Sequence, residues 1–301
     1  EYSWASSLSI PAEIKSLHCR QVLEPKREAA IKSEIVKRKS ITDNISSKVR
    51  EQYEQNPYPR WMSLCLSPSP LSISMFVNRL KIKIYDTSIL GVNSPKILQA
   101  GCGTGQHTIE NAAAFKDCNV LAVDLSLRSL AYAKRKTEEL KFSNIEYMQL
   151  DILDIEEIGE TFDIIFCSGV LHHMEDPMLG WTVLADCMHD GGLMSIGLYS
   201  EPARRHINQI RDEIIRNNIN LNDDDLINFR KHIINSKKEH HKVTALQGDF
   251  YSMSTYRDLL FHVQEHQFTI PKIKNCLKQL GLVFCGFENQ EIVQQFKIKY
   301  P

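Results

Sequence analysis

The stretch ILQAGCGTGQHT places Gly101, Gly103 and Gly105 one residue apart, between an apolar run and a helical one. Such a turn bends the backbone sharply and lets it approach a ligand without Cβ atoms in the way. Alone the pattern is weak, because glycine-rich turns also serve packing. Two acids strengthen it. Asp124 ends the next apolar run, NVLAVD, about 20 residues beyond the last glycine, where a carboxylate can accept both hydroxyls of a ribose. Asp151 closes the following run, in MQLDILDI, and can accept the exocyclic amine of an adenine whose ring nitrogen faces the Ile152 amide. Either acid alone reads equally well as a strand-end turn residue. Their order at successive strand ends is the signal. The alternating G-x-G-x-G lacks the G-x-G-x-x-G spacing of dinucleotide sites, which disfavours an NAD-dependent oxidoreductase. It suits a nucleoside carrying an amino-acid tail better than one carrying a pyrophosphate.

A further run, FDIIFCSGVLHHMEDP, ends at Ser168, Gly169 and Val170. That end is expected beside the glycine turn, at the switch point where open sheets bind ligands. His172 and His173 follow, and read equally well as helix-capping residues. A metal is not expected, since no third ligand stands at a suitable spacing. Upstream, REQYEQNPYPRWMSL gathers Tyr53, Tyr58, Arg60 and Trp61 around two prolines that stiffen the turn. Arg60 can pair with a ligand carboxylate. The competing reading is a hydrophobic anchor that packs the lead-in helix onto the sheet.

These residues need a scaffold that brings strand ends together. KILQA, NVLAVD, NIEYMQLD, FDIIFCSG and GLMSIGLY read as strands. QHTIENAAAF and SLRSLAYAKRKTEEL read as helices between them, the second capped by Ser126. The alternation predicts an α/β protein with a parallel sheet covered on both faces and right-handed crossovers. Residues 1–70 form a helical lead-in ending in the aromatic turn, 71–199 the core, 200–268 a helical insertion of lid or substrate-binding type, and 269–301 the C-terminal part of the core. In the insertion YRDLLFHVQEHQF is expected to be helical. After it come a helix, IPKIKNCLKQLG, and a strand, LVFCGFE. ISMFVNRLKIKIY fits either a helix or a strand.

The 301 residues suit one large or two modest domains, and 43% hydrophobic with 24% charged residues is ordinary for a soluble globular protein. A net charge of −1 gives no steering toward nucleic acid or an anionic membrane. Eight cysteines contain no C-x-x-C pair and mostly sit in apolar runs, so reduced thiols and a reducing cytoplasm are expected. No signal peptide or membrane-spanning run is seen. The sequence opens without methionine and stops at KIKYP, which reads as a piece of something longer.

Taken together, the four motifs resemble class I S-adenosylmethionine-dependent methyltransferases over roughly residues 95–290. The resemblance implies a Rossmann-like, mostly parallel sheet of order 3-2-1-4-5-7-6, although no seventh strand is apparent after LVFCGFE. It implies that Gly101, Gly103 and Gly105 face the methionine part of the cofactor, Asp124 the ribose and Asp151 the adenine. Gln106, Leu125, Ile152, Ser168, Gly169 and Val170 complete the expected cofactor set. The phrases QYEQNPYPRW, SGVLHHMEDP, GLYSEPAR and RDLLFHVQEHQFTIP are similar to a bacterial subgroup often joined to tetratricopeptide repeats. They are also similar to rickettsial protein-lysine methyltransferases that modify an outer-membrane protein; the repeats are absent from this sequence. By that resemblance Tyr53, Tyr58, Arg60 and Trp61 wall the methionine end of the cofactor. The expected activity is methyl transfer to a protein lysine, with His173 and Tyr199 at the reaction face. Arg204, His262, Glu265 and His266 would shape the acceptor site. A small-molecule or lipid acceptor, and a catalytically silent cofactor-binding module, are the alternatives.

Overall fold

A computed structural model describes residues 9–300. The lead-in contains α1 (Lys15–His18), α2 (Glu24–Glu34), the two-residue β1 (Val36–Lys37) and α3 (Asn44–Gln55), and α4 (Ile73–Leu80) opens the core. Strands and helices then alternate: β2 (Lys96–Ala100), α5 (Gln106–Ala114), β3 (Asn119–Asp124), α6 (Leu127–Glu139), β4 (Ile145–Gln149), β5 (Phe162–Ser168), α7 (Pro177–Asp186) and β6 (Met188–Gly197). Four helices follow, α8 (Glu201–Arg216), α9 (Asp223–Asn235), α10 (Glu239–Ala245) and α11 (Met253–Phe261). Two more, α12 (Ile270–Gln279) and α13 (Gln290–Lys299), end the chain.

All pairings in the six-stranded sheet are parallel, in the order β1-β4-β3-β2-β5-β6. Counting from β2, the run β4-β3-β2-β5-β6 is the 3-2-1-4-5 portion of the Rossmann-like order. β2 is the switch strand, with β3 on one side and β5 on the other, so its carboxyl end opens onto a crevice. Its residues Ile97, Leu98 and Ala100 are fully buried, as a strand covered on both faces requires. One side chain layer joins β2, β5 and β6 to α7 and α12, the other joins β2, β3 and β5 to α4 and α5. α8, α9 and α11 share a separate core around Ile207, Ile210, Phe229, Phe250 and Tyr256.

Ser126 caps α6 as expected, its hydroxyl accepting the Ser129 N–H at 3.1 Å. ISMFVNRL resolves to helix, because Ser72 caps it and Ile73 and Val77 fall on its buried face. Two expectations are corrected. Leu282–Glu288 forms no strand: Val283 and Phe284 are exposed, and in place of a ladder stand isolated bonds, the Lys83 N–H donating to the Cys285 carbonyl at 2.8 Å and the Ser195 hydroxyl to the Glu288 carboxylate. Among the described residues the additional strand lies instead at the opposite edge, where β1 pairs Val36 with Met148 and Lys37 with Gln149. The helix expected through YRDLLFHVQEHQF stops at Phe261. Beyond it the backbone turns outward, with the His266 N–H donating to the His172 carbonyl at 2.7 Å and the Phe268 N–H to the Tyr199 carbonyl at 2.8 Å. Residues 262–269 thus lean against the ends of β5 and β6 instead of bonding to their own helix.

The eight cysteines are free thiols, five of them buried. Among the described residues no helix is long and apolar enough to cross a membrane.

Candidate active site

The glycine turn joins β2 to α5 with Gly101, Gly103 and Gly105 all at positive φ. A Cβ on Gly101 would run into the Val170 methyls, and one on Gly103 would sit 2.9 Å from the Tyr58 carbonyl oxygen. The turn is therefore clasped between the end of β5 and the aromatic segment. Polar contacts complete the clasp: the Thr104 hydroxyl donates to the Pro59 carbonyl, and the Trp61 indole N–H donates to the Thr104 carbonyl at 3.0 Å. Trp61 is buried edge-on to Tyr132, 6.0 Å between ring centres, and packs with Ile109. It occupies the anchor position between α5 and α6. Arg60 is exposed. Tyr58 is half-buried; burial first, then the neighbouring Asp258, Asp249 and Tyr199, push its phenol pKa up, so this ring faces the later helices.

The two acids stand at the carboxyl ends of adjoining strands. Asp124 pairs in register with Gln149, and Asp151 lies two residues further along. The Asp124 carboxylate accepts the Gly103 and Ser126 N–H groups, each at 2.8 Å, and so braces the glycine turn from below. Burial pushes its pKa up to about 6 against those hydrogen bonds. Asp151 is buried, accepts the Leu153 N–H at 3.1 Å, and is likewise raised by burial while the Ser46 hydroxyl holds it down. Leu125 accepts the Gln149 side-chain N–H on its carbonyl at 2.8 Å, Ile152 is buried, and Gln106 opens α5 half-exposed. Ser168 and Gly169 are exposed where β5 ends, with Val170 half-buried against the turn.

Above the ends of β5 and β6 lies a stack of aromatic and imidazole rings. His172 stacks on Tyr199 at 3.9 Å, and His173 stands edge-on to the same ring. His173 and His262 stack at 3.4 Å and 19°. His173 Nδ1 donates to the Gln264 carbonyl at 2.7 Å, which leaves Nε2 with its lone pair. Burial pushes the His173 imidazole down to about 4 and His172 and His262 to about 2, so all three are neutral bases at neutral pH. Burial raises the Tyr199 phenol to about 12. Tyr53 crosses from α3 to this stack and donates its hydroxyl to Asp258 at 2.6 Å. Its phenol is held well above its usual range by burial, with Asp258, Tyr199 and Asp124 within electrostatic reach. The structure thus brings Tyr53, Tyr58, His173, Tyr199 and His262 together near the end of the sheet.

A third ligand type does stand beside His173 and His262: an Asp258 oxygen lies within 4.8 Å of a nitrogen of each. The nearly parallel rings aim their lone pairs side by side instead of at one point, a poor arrangement for a shared ion.

The remaining expected acceptor residues brace one another. The Arg204 guanidinium bonds both oxygens of Glu265 and the Leu259 carbonyl, and lies 4.0 Å over the Tyr199 ring. Arg211 adds a second guanidinium to Glu265 at 2.9 Å. His266 is held between the Glu175 carbonyl at 3.1 Å and the Gln264 amide at 3.0 Å. These contacts fix the 262–269 segment against α8 and the end of β5.

Two acids with structural consequence escaped the sequence reading. Asp258 is a carboxylate on the buried face of α11, between Tyr256 and Leu259; an acid flanked by apolar residues at helical spacing was the available signal. Glu54, on α3, accepts the Ser126 hydroxyl at 3.1 Å and the Arg128 N–H at 2.8 Å, capping α6 from outside. Only the fold could pair residues so far apart.

Asp258 gives a pH prediction. Burial raises its pKa from 3.8 to about 6 against the Tyr53 hydrogen bond. Its stabilising contribution is therefore fully present below about 4 and lost as pH rises through about 6. Urea unfolding of the wild type and of Asp258→Asn should diverge accordingly: wild-type stability relative to the variant increases as pH is lowered across that window. A difference that stays flat, or runs the other way, contradicts the burial.

Residues 97–192 match the family model described as a methyltransferase domain. An uncharacterised protein of Synechococcus is 29% identical over 205 residues, 65% of this chain and 49% of its own length. (S)-coclaurine N-methyltransferase of Papaver somniferum is 28% identical over 124 residues, 41% of this chain and 32% of its own. Among solved structures, PKMT2 from Rickettsia typhi in complex with AdoHcy superposes with a TM-score of 0.54 at 19% identity, over 72% of this chain and 44% of that one. The chain thus spans about half the length of the first of these relatives. The glycine turn and both strand-end acids lie within the residues, 97–192, that match the methyltransferase-domain model, and PKMT2 shares the fold that positions them.

Proposed function

We propose that the protein is an S-adenosylmethionine-dependent methyltransferase that acts on protein lysine. The observation that carries the reading is the pair of carboxylates, half-buried Asp124 and buried Asp151, at adjoining strand ends beside a turn clasped by the aromatic segment. This donor set fits the cofactor: one carboxylate suits vicinal ribose hydroxyls, the other an exocyclic amine. The bound cofactor would supply an already activated methyl group, which leaves the protein to align the acceptor and exclude water.

Asp124 would bind the ribose, and Asp151 with the Ile152 amide the adenine. The glycine turn with Gln106 would border the methionine end, and exposed Arg60 would swing to its carboxylate. Leu125, Ser168, Gly169 and Val170 would line the crevice. Tyr53 and Tyr58 offer aromatic walls suited to an alkyl ammonium chain, while Tyr199, covered by His172 and Arg204, would present its ring edge and hydroxyl to the reaction face. A lysine must lose a proton before it attacks, and His173 Nε2, neutral and unprotonated, can accept it. Buried His262 stacks on that imidazole and keeps it oriented. Trp61, Arg204, Glu265 and His266 act by holding these walls in place.

The sequence phrases shared with rickettsial enzymes support a protein acceptor, an outer-membrane protein met in the cytoplasm before export. Incubation with methyl-labelled cofactor and cell-envelope protein tests this directly. Label in lysine of a protein band supports it; label in a lipid or small-molecule fraction redirects the acceptor, and cofactor binding without transfer identifies a silent module. For the cofactor, Asp124→Ala should weaken calorimetric binding of S-adenosylhomocysteine by about 1.5–3 kcal/mol, as for a lost charge-assisted hydrogen bond. Unchanged affinity removes Asp124 from the ribose role.

A further inference from the structure

Away from this crevice, the helices after β6 carry an unusual concentration of imidazoles around one carboxylate. Glu213 on α8 is buried, and its Oε1 lies 2.7 Å from His240 Nε2 and 2.9 Å from Lys238 Nζ. Its Oε2 lies 3.2 Å from His241 Nε2. His232, on α9, stands edge-on to His241 at 5.6 Å, and His240 edge-on to it at 4.5 Å. One donor atom each from Glu213, His232 and His241 lies within 4.8 Å of the others.

Several features exceed what a plain ion pair needs. His241 is completely buried, yet its Nδ1 has no hydrogen-bond partner. Whichever nitrogen holds the proton, this ring keeps an unmet polar atom inside the protein, a costly arrangement. The rings meet at 76° and 78°, so their lone pairs can converge, unlike those of the stacked pair at the active site. Tetrahedral zinc with ligand distances of ~2.0–2.1 Å sets neighbouring donors roughly 3.3 Å apart. The 3.2 Å between Glu213 Oε2 and His241 Nε2 is already close to that, so an ion here takes Nε2, and the unmet Nδ1 is a cost of the ring's burial that the ion does not relieve. His232 is exposed and gives the cluster an opening to solvent.

We propose that Glu213, His232, His240 and His241 form a binding site for a divalent transition metal, zinc by its donor set, that ties α8, α9 and α10 together. Three imidazoles and one carboxylate suit zinc and not magnesium or calcium, which prefer oxygen. In the metal-free form Lys238 supplies the positive charge that Glu213 needs, and an entering ion displaces it. Binding neutralises the carboxylate and uses the imidazoles in their unprotonated form, so affinity falls in acid.

The test uses the full chain, stripped with chelator and dialysed, then titrated with zinc chloride and, separately, with magnesium chloride. One equivalent of zinc should be retained and should raise Tm, while magnesium does neither. Cobalt substitution should give the visible absorption of a tetrahedral ion without a sulfur charge-transfer band. The double variant His232→Ala, His240→Ala should lose zinc affinity by at least the ~10–100-fold that removal of even an outer partner costs. His173→Ala should retain zinc, which separates this cluster from the active-site imidazoles. Should the double variant fail to fold, Lys238→Ala decides: removal of the competing ammonium should tighten zinc binding. Zinc that is not retained by the wild type overturns the site, as does equal retention by the double variant. Unchanged or weaker binding by Lys238→Ala overturns it too.

Discussion

Glu265→Ala is expected to destabilise the protein by about 3–5 kcal/mol, the cost of leaving a buried charge without its partner. Arg204 is buried and bonds both Glu265 oxygens, and half-buried Arg211 shares one of them. Removing the carboxylate strands two guanidiniums, one of them pinned over the Tyr199 ring. Tm should fall by at least ~6 °C, at roughly 2 °C per kcal/mol for a chain of this size. The 262–269 segment should also loosen, which hydrogen exchange at His266 and Phe268 can read, because their amides bond to the His172 and Tyr199 carbonyls. A loss below ~1 kcal/mol, the range of an exposed pair, would mean the charges are not desolvated as the geometry requires.

The second large effect concerns Trp61. Its replacement by alanine should cost about 3–5 kcal/mol, as for other buried aromatic truncations. The indole fills the space between Ile109 and Tyr132, its N–H satisfies the Thr104 carbonyl, and its own carbonyl takes the Tyr132 hydroxyl. Trp61→Phe keeps much of the packing but loses the N–H, and should cost about 1 kcal/mol. S-adenosylhomocysteine affinity of the folded fraction should stay within about threefold, less than 1 kcal/mol. A large affinity loss with Tm preserved would instead make Trp61 a wall of the cofactor site.

Much of the fold was legible because its signals are local. KILQA and NVLAVD are short apolar runs, Ser126 sits one residue before a helix, and each glycine of GCGTG marks a positive φ. The strand-end acids were legible for the same reason: a carboxylate closing an apolar run says where the strand stops. LVFCGFE misled because an apolar run predicts a strand only if a neighbour is free to pair with it, and these residues remain largely exposed. Nothing in Tyr53 or Asp258 announces that they meet across 205 residues. The histidines were visible as types, but their neutrality comes from burial, a property of the assembled molecule. The same holds for Arg204 and Glu265, whose spacing along the chain carries no hint that they are partners.

The two-residue β1 has a consequence for behaviour outside the native state. A parallel sheet normally ends in a row of free N–H and C=O groups that any extended chain can copy. At the β4 margin, Val36 and Lys37 occupy that row, and Arg38 continues it with an N–H to the Gln149 carbonyl at 3.3 Å. Lys39 then ties off against Asp154 and Glu157. So brief and so cationic a selvedge is a poor template for a second molecule. During refolding at high concentration, this side of the protein should resist the strand-to-strand sticking by which exposed sheets coagulate.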